Sequence, residues 1–346
     1  MKKIAVFVPH SIYPNFGGAV RCYELLKRLD KRFRLIIFSL SEKFEIKRIW
    51  DNSILIEYPK GILPTIMFFR IVKQFNPDLV IVEYTSIYSF FPTIIGKLYG
   101  KPVILDAHNV EYVFKRGRLP SFLLPLFFLN ELLLSKLSDI LLVVSKLDKK
   151  IFELLYNIDR IVVIPNGVNP DRFSNNETKS NCAVFHGDYN YDANREAINF
   201  ILDLAKELPE IEFVIFGRDT NKVKPKSKNV KVLGEVAYEE IPRILQKCKI
   251  AVVPLFRGSG TSLKILEYLS AGLTIVATKI AVRGLPLKEG THYYKAETEE
   301  EFVEKIKYAL EHPTKQYSVI EFSWDNISKK LIKTIEKVIN VRTKQD

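Results

Sequence analysis

Short runs of β-branched and aromatic residues alternate along the chain with longer stretches that space apolar residues three and four apart. In the first half the short runs predict strands at 3–8, 35–39, 54–58, 79–83, 102–106, 140–145 and 160–164, with amphipathic helices at 20–30 and 145–156. After residue 181 the alternation starts again. It gives strands at 183–185, 212–216, 230–233, 250–254, 274–277 and 292–294, and helices at 195–208, 238–248, 262–271 and 299–311. Strands that are apolar along their whole length must be covered on both faces, which implies parallel sheets flanked by helices. Between the two series lies 165-PNGVNPDRFSNNETKSN-181, rich in Pro, Asn, Gly and Ser, the best linker in the chain. The pattern therefore predicts an α/β chain of two Rossmann-like, doubly wound domains, residues 1–165 and 166–323. A length of 346 residues agrees, being too long for one ordinary core. Ligands of such sheets sit outside the carboxyl ends of the strands, so chemistry is expected in the loops after strands, with the cleft between the two domains as the default site.

Those loops hold the candidate residues. After the first strand, Gly17 and Gly18 open a helix and let a ligand approach its free N–H groups. The spacing is not GxGxxG, so a dinucleotide fingerprint is absent. After the fifth strand comes 105-LDAHNVEY-112, in which His108 stands where a cleft residue belongs. Glu111 can orient it or a substrate hydroxyl, and Asp106 reads as a strand-end turn cap. In the second half Gly187, Gly217 and Gly234 each follow a strand, Arg218 is available for an anion, and Asp192 or Asn194 can cap a helix. The strongest stretch is 258-GSGTSLKILEYLSAG-272. Gly258, Ser259 and Gly260 bare a helix start whose partial positive charge suits phosphate oxygens. Lys264 adds a full charge in the first turn. Glu267, on the same helical face, can accept hydrogen bonds from vicinal hydroxyls such as those of a ribose. A plain surface ion pair between Lys264 and Glu267 is the structural alternative, and together the loops suggest a nucleotide with phosphates.

Composition narrows the partners. A hydrophobic share of 47% with 27% charged is a globular balance. The start MKKIAVFVPH is basic, but its apolar run is short and reads as a strand rather than a leader. Cys22, Cys182 and Cys248 are few and scattered, which predicts reduced thiols in a cytosol, with no disulfide framework and no zinc spacing. Net charge is +12, of which +9 falls in residues 1–165, so the first half should attract something anionic unless its cations merely solvate the surface. That half also holds 118-RLPSFLLPLFFLNELLLSK-136, 62-ILPTIMFF-69 and 87-IYSFFPTIIGKLYG-100. Pro and polar interruptions argue against a spanning helix. Either these are core helices, or they dock the chain on an anionic membrane surface and favour a lipid-linked acceptor. Aromatics gathered in apolar runs, not interleaved with cations, argue against nucleic acid.

The chain resembles the GT-B glycosyltransferases, specifically the large retaining family 4. The resemblance rests on the Gly-Gly loop, 108-HNVE-111, 143-VVSK-146, 164-IPNGV-168, 258-GSGTSLKILEYLSAG-272 and 322-FSWDNI-327. It implies a nucleotide-sugar donor held mainly by the second domain, a glycan or lipid-linked acceptor held mainly by the first, and a final helix from about residue 324 crossing back onto the first. By resemblance Glu267 binds the donor ribose, Gly17 and Gly18 meet phosphate and acceptor, His108 lies beside the donor sugar, and Gly234 and Val236 meet the base through backbone groups. Four positions depart from the family pattern. A sugar-contacting Glu is Ser259, an Arg and a Lys on the diphosphate are Asp188 and Asn194, and the Arg of a Gly-Thr-Arg triplet is Ser262, after Thr261 and before Leu263. Lys264 is then the first choice for the missing cation, with Arg257 and Arg218 behind it.

No DxD-like pair occupies a suitable loop and the five histidines do not cluster in sequence, so no metal or other cofactor is expected. The expected reaction is retaining glycosyl transfer in the cytoplasm, at the inner face of the plasma membrane. A nucleotide-sugar 2-epimerase of the same fold and a catalytically inactive partner subunit are the alternatives.

Overall fold

In the computed structural model, residues 1–14, 16–61, 63–173 and 178–342 are described. Part of the linker expected at 165–181, residue 15 of the first glycine loop, residue 62 and the last residues of the final helix expected to reach 346 lie outside them. The chain divides into two units, one of residues 1–166 with 324–346 and one of residues 167–323.

The first unit runs β1 (Lys3–Val8), α1 (Gly17–Leu29), β2 (Arg34–Ser41), β3 (Glu45–Trp50), β4 (Ser53–Pro59), α2 (Leu63–Phe75), β5 (Leu79–Glu83), α3 (Phe90–Leu98), β6 (Val103–Ala107), α4 (Glu111–Lys115), α5 (Leu124–Leu137), β7 (Ile140–Val143), α6 (Lys146–Tyr156) and β8 (Ile161–Val163). Its sheet has the order β3-β4-β2-β1-β5-β6-β7-β8. All pairs are parallel except β3 with β4. Strand order turns back between β1 and β5, so the loops after these two strands are where a ligand site is expected. One face is covered by α2, α3 and α5. There the rings of Phe7, Phe38 and Phe68 touch one another, each fully buried and contributing about 2–3 kcal/mol by removal from water.

The second unit runs β9 (Ser180–His186), α7 (Asp192–Glu207), β10 (Glu212–Phe216), β11 (Val230–Gly234), α8 (Ile241–Lys247), β12 (Cys248–Val253), α9 (Leu263–Ser270), β13 (Thr274–Ala277), β14 (Tyr294–Lys295) and α10 (Glu299–Glu311). A last helix, α11 (Trp324–Arg342), returns to the first unit and packs on α1, where Arg28 reaches Asp325 at 2.6 Å. The second sheet is parallel throughout, in the order β11-β10-β9-β12-β13-β14. Its order turns back between β9 and β12.

The expectation of three reduced thiols is corrected. Cys182 and Cys248 form a disulfide, and only Cys22 among the described cysteines is free. They are 66 residues apart, and the parallel pairing of β9 with β12 is what brings their Cα atoms to 4.8 Å.

Candidate functional site

At the carboxyl edge of the first sheet, β1, β5, β6 and the start of α1 gather a buried polar cluster. Arg21 of α1 donates to both carboxylate oxygens of Asp106, from Nε and Nη2 at 3.1 Å each, and from Nη1 to the Pro165 carbonyl at 2.9 Å and to Asn166 Oδ1 at 3.2 Å. Asp106 is therefore the counter-ion of a buried guanidinium rather than a turn cap, and Arg21 is a residue that sequence reasoning missed. Burial raises the Asp106 carboxyl, although Arg21 works against the rise.

His108, just past β6, places Nε2 at 2.8 Å from Glu83 Oε2 at the end of β5. Its ring stacks on Tyr84 with centroids 3.8 Å apart. Burial pushes Glu83 up to about 7 and His108 down to about 3, so the imidazole is uncharged at neutral pH. With Nε2 engaged, Nδ1 is the open ring atom, and it is buried without a hydrogen-bond partner. Glu111 is not the residue that orients His108. Its carboxylate pairs with Lys115 at 3.3 Å, its N–H donates to Glu131, and Glu83 is the group that holds His108.

Cys22 adds its sulfur at 3.9 Å from His108 Nε2. Cys22, Glu83 and His108 thus bring three ligand-type atoms within 4.8 Å of one another, a cluster invisible in the sequence. Glu83 and His108 already bond each other at 2.8 Å, closer than the separation of about 3.3 Å between ligands on a tetrahedral zinc. As arranged, the three are each other's partners.

Gly17 and Gly18 are the first residues of α1, three residues ahead of the helix start expected at 20, and the side-chain direction of Gly18 is already filled. A side chain at Gly18 would coincide with the Tyr84 hydroxyl, so the glycine makes room for the ring that backs His108.

The second unit is built differently. Gly187, Gly217 and Gly234 lie side by side at the carboxyl ends of β9, β10 and β11. Gly187 N–H donates to the Phe216 carbonyl at 3.0 Å and Gly217 N–H to the Gly234 carbonyl at 2.8 Å. Gly217 and Gly234 have φ of +132° and +74°, and a side chain on Gly217 would strike the Gly187 backbone. Here only glycine fits. Val236, two residues on, packs half-buried against the core.

Next to the row, after β12, comes the start of α9. Gly258, Ser259, Gly260, Thr261 and Ser262 lead into it, with Gly260 at φ +66° and Ser262 as N-cap, before Leu263 begins the helix. Lys264 does not pair with Glu267. Its Nζ donates to Asn194 Oδ1 at 2.8 Å and lies 4.2 Å from the Phe185 ring centroid. Asn194 in turn donates to the Asp188 carbonyl at 3.0 Å, while the N-cap of α7 falls to Tyr191, so neither Asp192 nor Asn194 caps that helix. Desolvation pushes Lys264 down to about 7, with Glu267 opposing the shift. Glu267 Oε2 is 3.1 Å from Nε2 of His186, which stacks on Phe216. His186 is a second residue that sequence reasoning missed. Arg257 and Arg218 are not aimed at this point: Arg257 reaches Glu196 at 2.7 Å, and Arg218 lies 3.8 Å from Asp219.

Two parallel α/β units, each with glycine loops at its switch point, define a GT-B architecture. The model of the glycosyltransferase family 4 matches residues 17–172, and that of the glycosyl transferases group 1 matches residues 180–312. Together the two matches, one for each unit, support a group 1 glycosyltransferase. It is 25% identical over 294 residues to the uncharacterized glycosyltransferase MJ1178 of Methanocaldococcus jannaschii, covering 81% of this chain and 80% of that one. Its fold is similar to sucrose-phosphate synthase from Thermosynechococcus elongatus, with a TM-score of 0.79 at 13% identity over 99% of this chain and 100% of that one. It is also similar to Alr3699/HepE from Anabaena, solved with UDP and glucose, with a TM-score of 0.73 at 13% identity over 97% of this chain and 100% of that one.

Proposed function

We propose that the chain moves a sugar from a nucleotide-diphosphate sugar to a glycan or lipid-linked acceptor, with retention of anomeric configuration and without a metal ion. The observation that carries this reading is the Lys264 ammonium, held by Asn194 where α9 begins beside the glycine row. Asn194 is a position at which the resemblance expects a diphosphate-binding cation, and Lys264 delivers one there from another element. A pyrophosphate at that point meets a helix N-terminus, bare backbone and one full charge, the preorganised electrostatics that leaving-group departure needs.

Glu267, whose Oε2 lies 3.1 Å from His186 Nε2, accepts from the ribose hydroxyls, and the backbone of Gly234 and Val236 meets the base. Arg257 and Arg218 are secondary, since each must first leave a carboxylate. The first unit takes the acceptor, with His108 and Glu111 as the side chains it offers to sugar. As the bond from the anomeric carbon to the diphosphate oxygen breaks, the acceptor oxygen attacks on the same face and its proton passes to the leaving diphosphate. The UDP and glucose held by Alr3699/HepE support the donor class.

A panel of nucleotide sugars in thermal shift identifies the donor by the unfolding transition it raises. With that donor, Glu267→Gln and Lys264→Ala should each lower turnover about a hundredfold or more while the fold persists. Turnover that EDTA abolishes and magnesium restores overturns the metal-free step. Conversion of the nucleotide sugar with no acceptor present points instead to an epimerase.

A further inference from the structure

We propose that the outer face of α5 is a docking surface for an anionic lipid bilayer. A helix on the surface of a water-soluble domain turns apolar residues inward and polar ones outward. In α5 both sides are apolar: Leu134 is buried and Phe128 and Leu132 pack on the core, yet polar residues share that inner side while leucines face out. Glu131 and Ser135 point into the unit and are buried, whereas Leu126 and Leu129 are 62% and 50% exposed.

This orientation is locked. The Glu131 carboxylate accepts from the N–H groups of Glu111 (2.7 Å) and Tyr112 (3.0 Å), the Thr85 hydroxyl (3.0 Å) and the Tyr156 hydroxyl (2.6 Å), and Asn130 donates to the Thr85 carbonyl at 2.9 Å. Rotating α5 to hide its leucines would strip a buried carboxylate of every one of these partners. Phe122, in the turn before α5, is 77% exposed, and Ile87, before the neighbouring α3, is 75% exposed. An apolar surface of this kind marks an interaction site.

Charge selects the occupant. Beside one end of the face Arg116 is exposed, Arg118 stacks on the Phe114 ring at 3.9 Å, and Lys115, paired with Glu111, lies 5.5 Å from the Phe127 ring centroid. At the other end Lys136 is exposed. A second copy of the chain in a two-fold contact would set these cations against themselves. Anionic headgroups neutralise them while Leu126, Leu129 and Phe122 enter the acyl boundary. No helix among the described residues is long and apolar enough to cross a membrane, so the face lies on the bilayer.

The inference deepens the reading of a lipid-linked acceptor, but vesicle binding needs neither donor nor acceptor and can fail while donor binding succeeds. The full chain is sedimented with vesicles of phosphatidylcholine alone or with about one third phosphatidylglycerol. Binding is expected to the second only and to weaken with salt, and Arg116→Glu should weaken it about fivefold or more. The pair Leu126→Ser and Leu129→Ser should abolish it without moving the unfolding midpoint. Should that pair not fold, Leu129→Trp reads the same contact through a blue shift of the added tryptophan on anionic vesicles. Equal binding to both vesicles, unchanged binding of the serine pair, or no blue shift overturns the proposal. So does self-association in solution that the serine pair removes, which would make the face an interface between copies.

Discussion

At the edge of the first sheet the chain closes on itself: Tyr84 fills the space beside Gly18, Asp106 neutralises Arg21, and Glu83 holds His108. At the edge of the second sheet three glycines pack backbone to backbone, and Lys264 at the start of α9 donates to the uncharged amide of Asn194 and to no carboxylate among the described residues. Both edges sit where strand order turns back, so topology alone does not separate them. What differs is whether charge is spent inside the protein. A buried ion pair with all its hydrogen bonds made has nothing left for a ligand. An amine on an amide can bring a charge to one, taking up its proton as the anion binds.

The largest effect expected from this contrast is on stability. Arg21→Leu leaves Asp106 buried and unpaired and should cost about 3–5 kcal/mol in urea unfolding. Lys264→Met should cost little stability and remove donor affinity instead. Equal losses of stability in the two variants would erase the distinction. A smaller effect tests the closure itself. Gly18→Ala forces a methyl onto the Tyr84 hydroxyl and should cost about 1–3 kcal/mol, recovered in part by adding Tyr84→Phe. Additive losses in the double variant would mean that Tyr84 is not what Gly18 accommodates.

The smallest effect is in pH. Lys264 is lowered from 10.5 to about 7, so above pH 7 the ammonium must be regained when diphosphate binds. Donor affinity should fall by up to about tenfold per pH unit above 7, with proton uptake in calorimetry, and Lys264→Met should flatten the slope. Over the same window the unfolded chain holds the proton that the folded chain has lost, so this group makes the native state more stable as pH rises toward 10.5. Affinity and stability therefore move in opposite directions. A flat affinity profile would remove Lys264 from the phosphate.

The apolar pattern reads β1, β5, β10, β13 and α10 to their observed bounds, because each is a strong run with clear stops. It misses β3, an antiparallel edge strand whose EIKRIW has three charged residues among its six and none buried, so no buried run marks it. In α5 the pattern shows that the segment is apolar but not which side faces the unit, since that is decided by Glu131 and partners drawn from α4, α6 and the loop after β5. The candidate site divides the same way. Lys264 and Glu267 stand out because glycines precede them on one helix. Their partners, Asn194 and His186, lie 70 residues or more away and are joined to them by strand order. Arg21, Glu83 and Cys22 stay hidden for that reason too: each is an ordinary residue of a helix or strand until three strands converge.

The Cys182–Cys248 bond makes residues 182–248 a closed loop of chain that contains α7, β10, β11 and α8. Gly187, Gly217, Gly234, His186 and Asn194 all ride on that loop, whereas Lys264 and Glu267 lie outside it. The tie sits near the amino ends of β9 and β12, at the opposite side of the sheet from the glycines. A nick anywhere inside the loop would leave both fragments fastened at their base, like pages on a spine, while the free edge kept its latitude to adjust around whatever lies there.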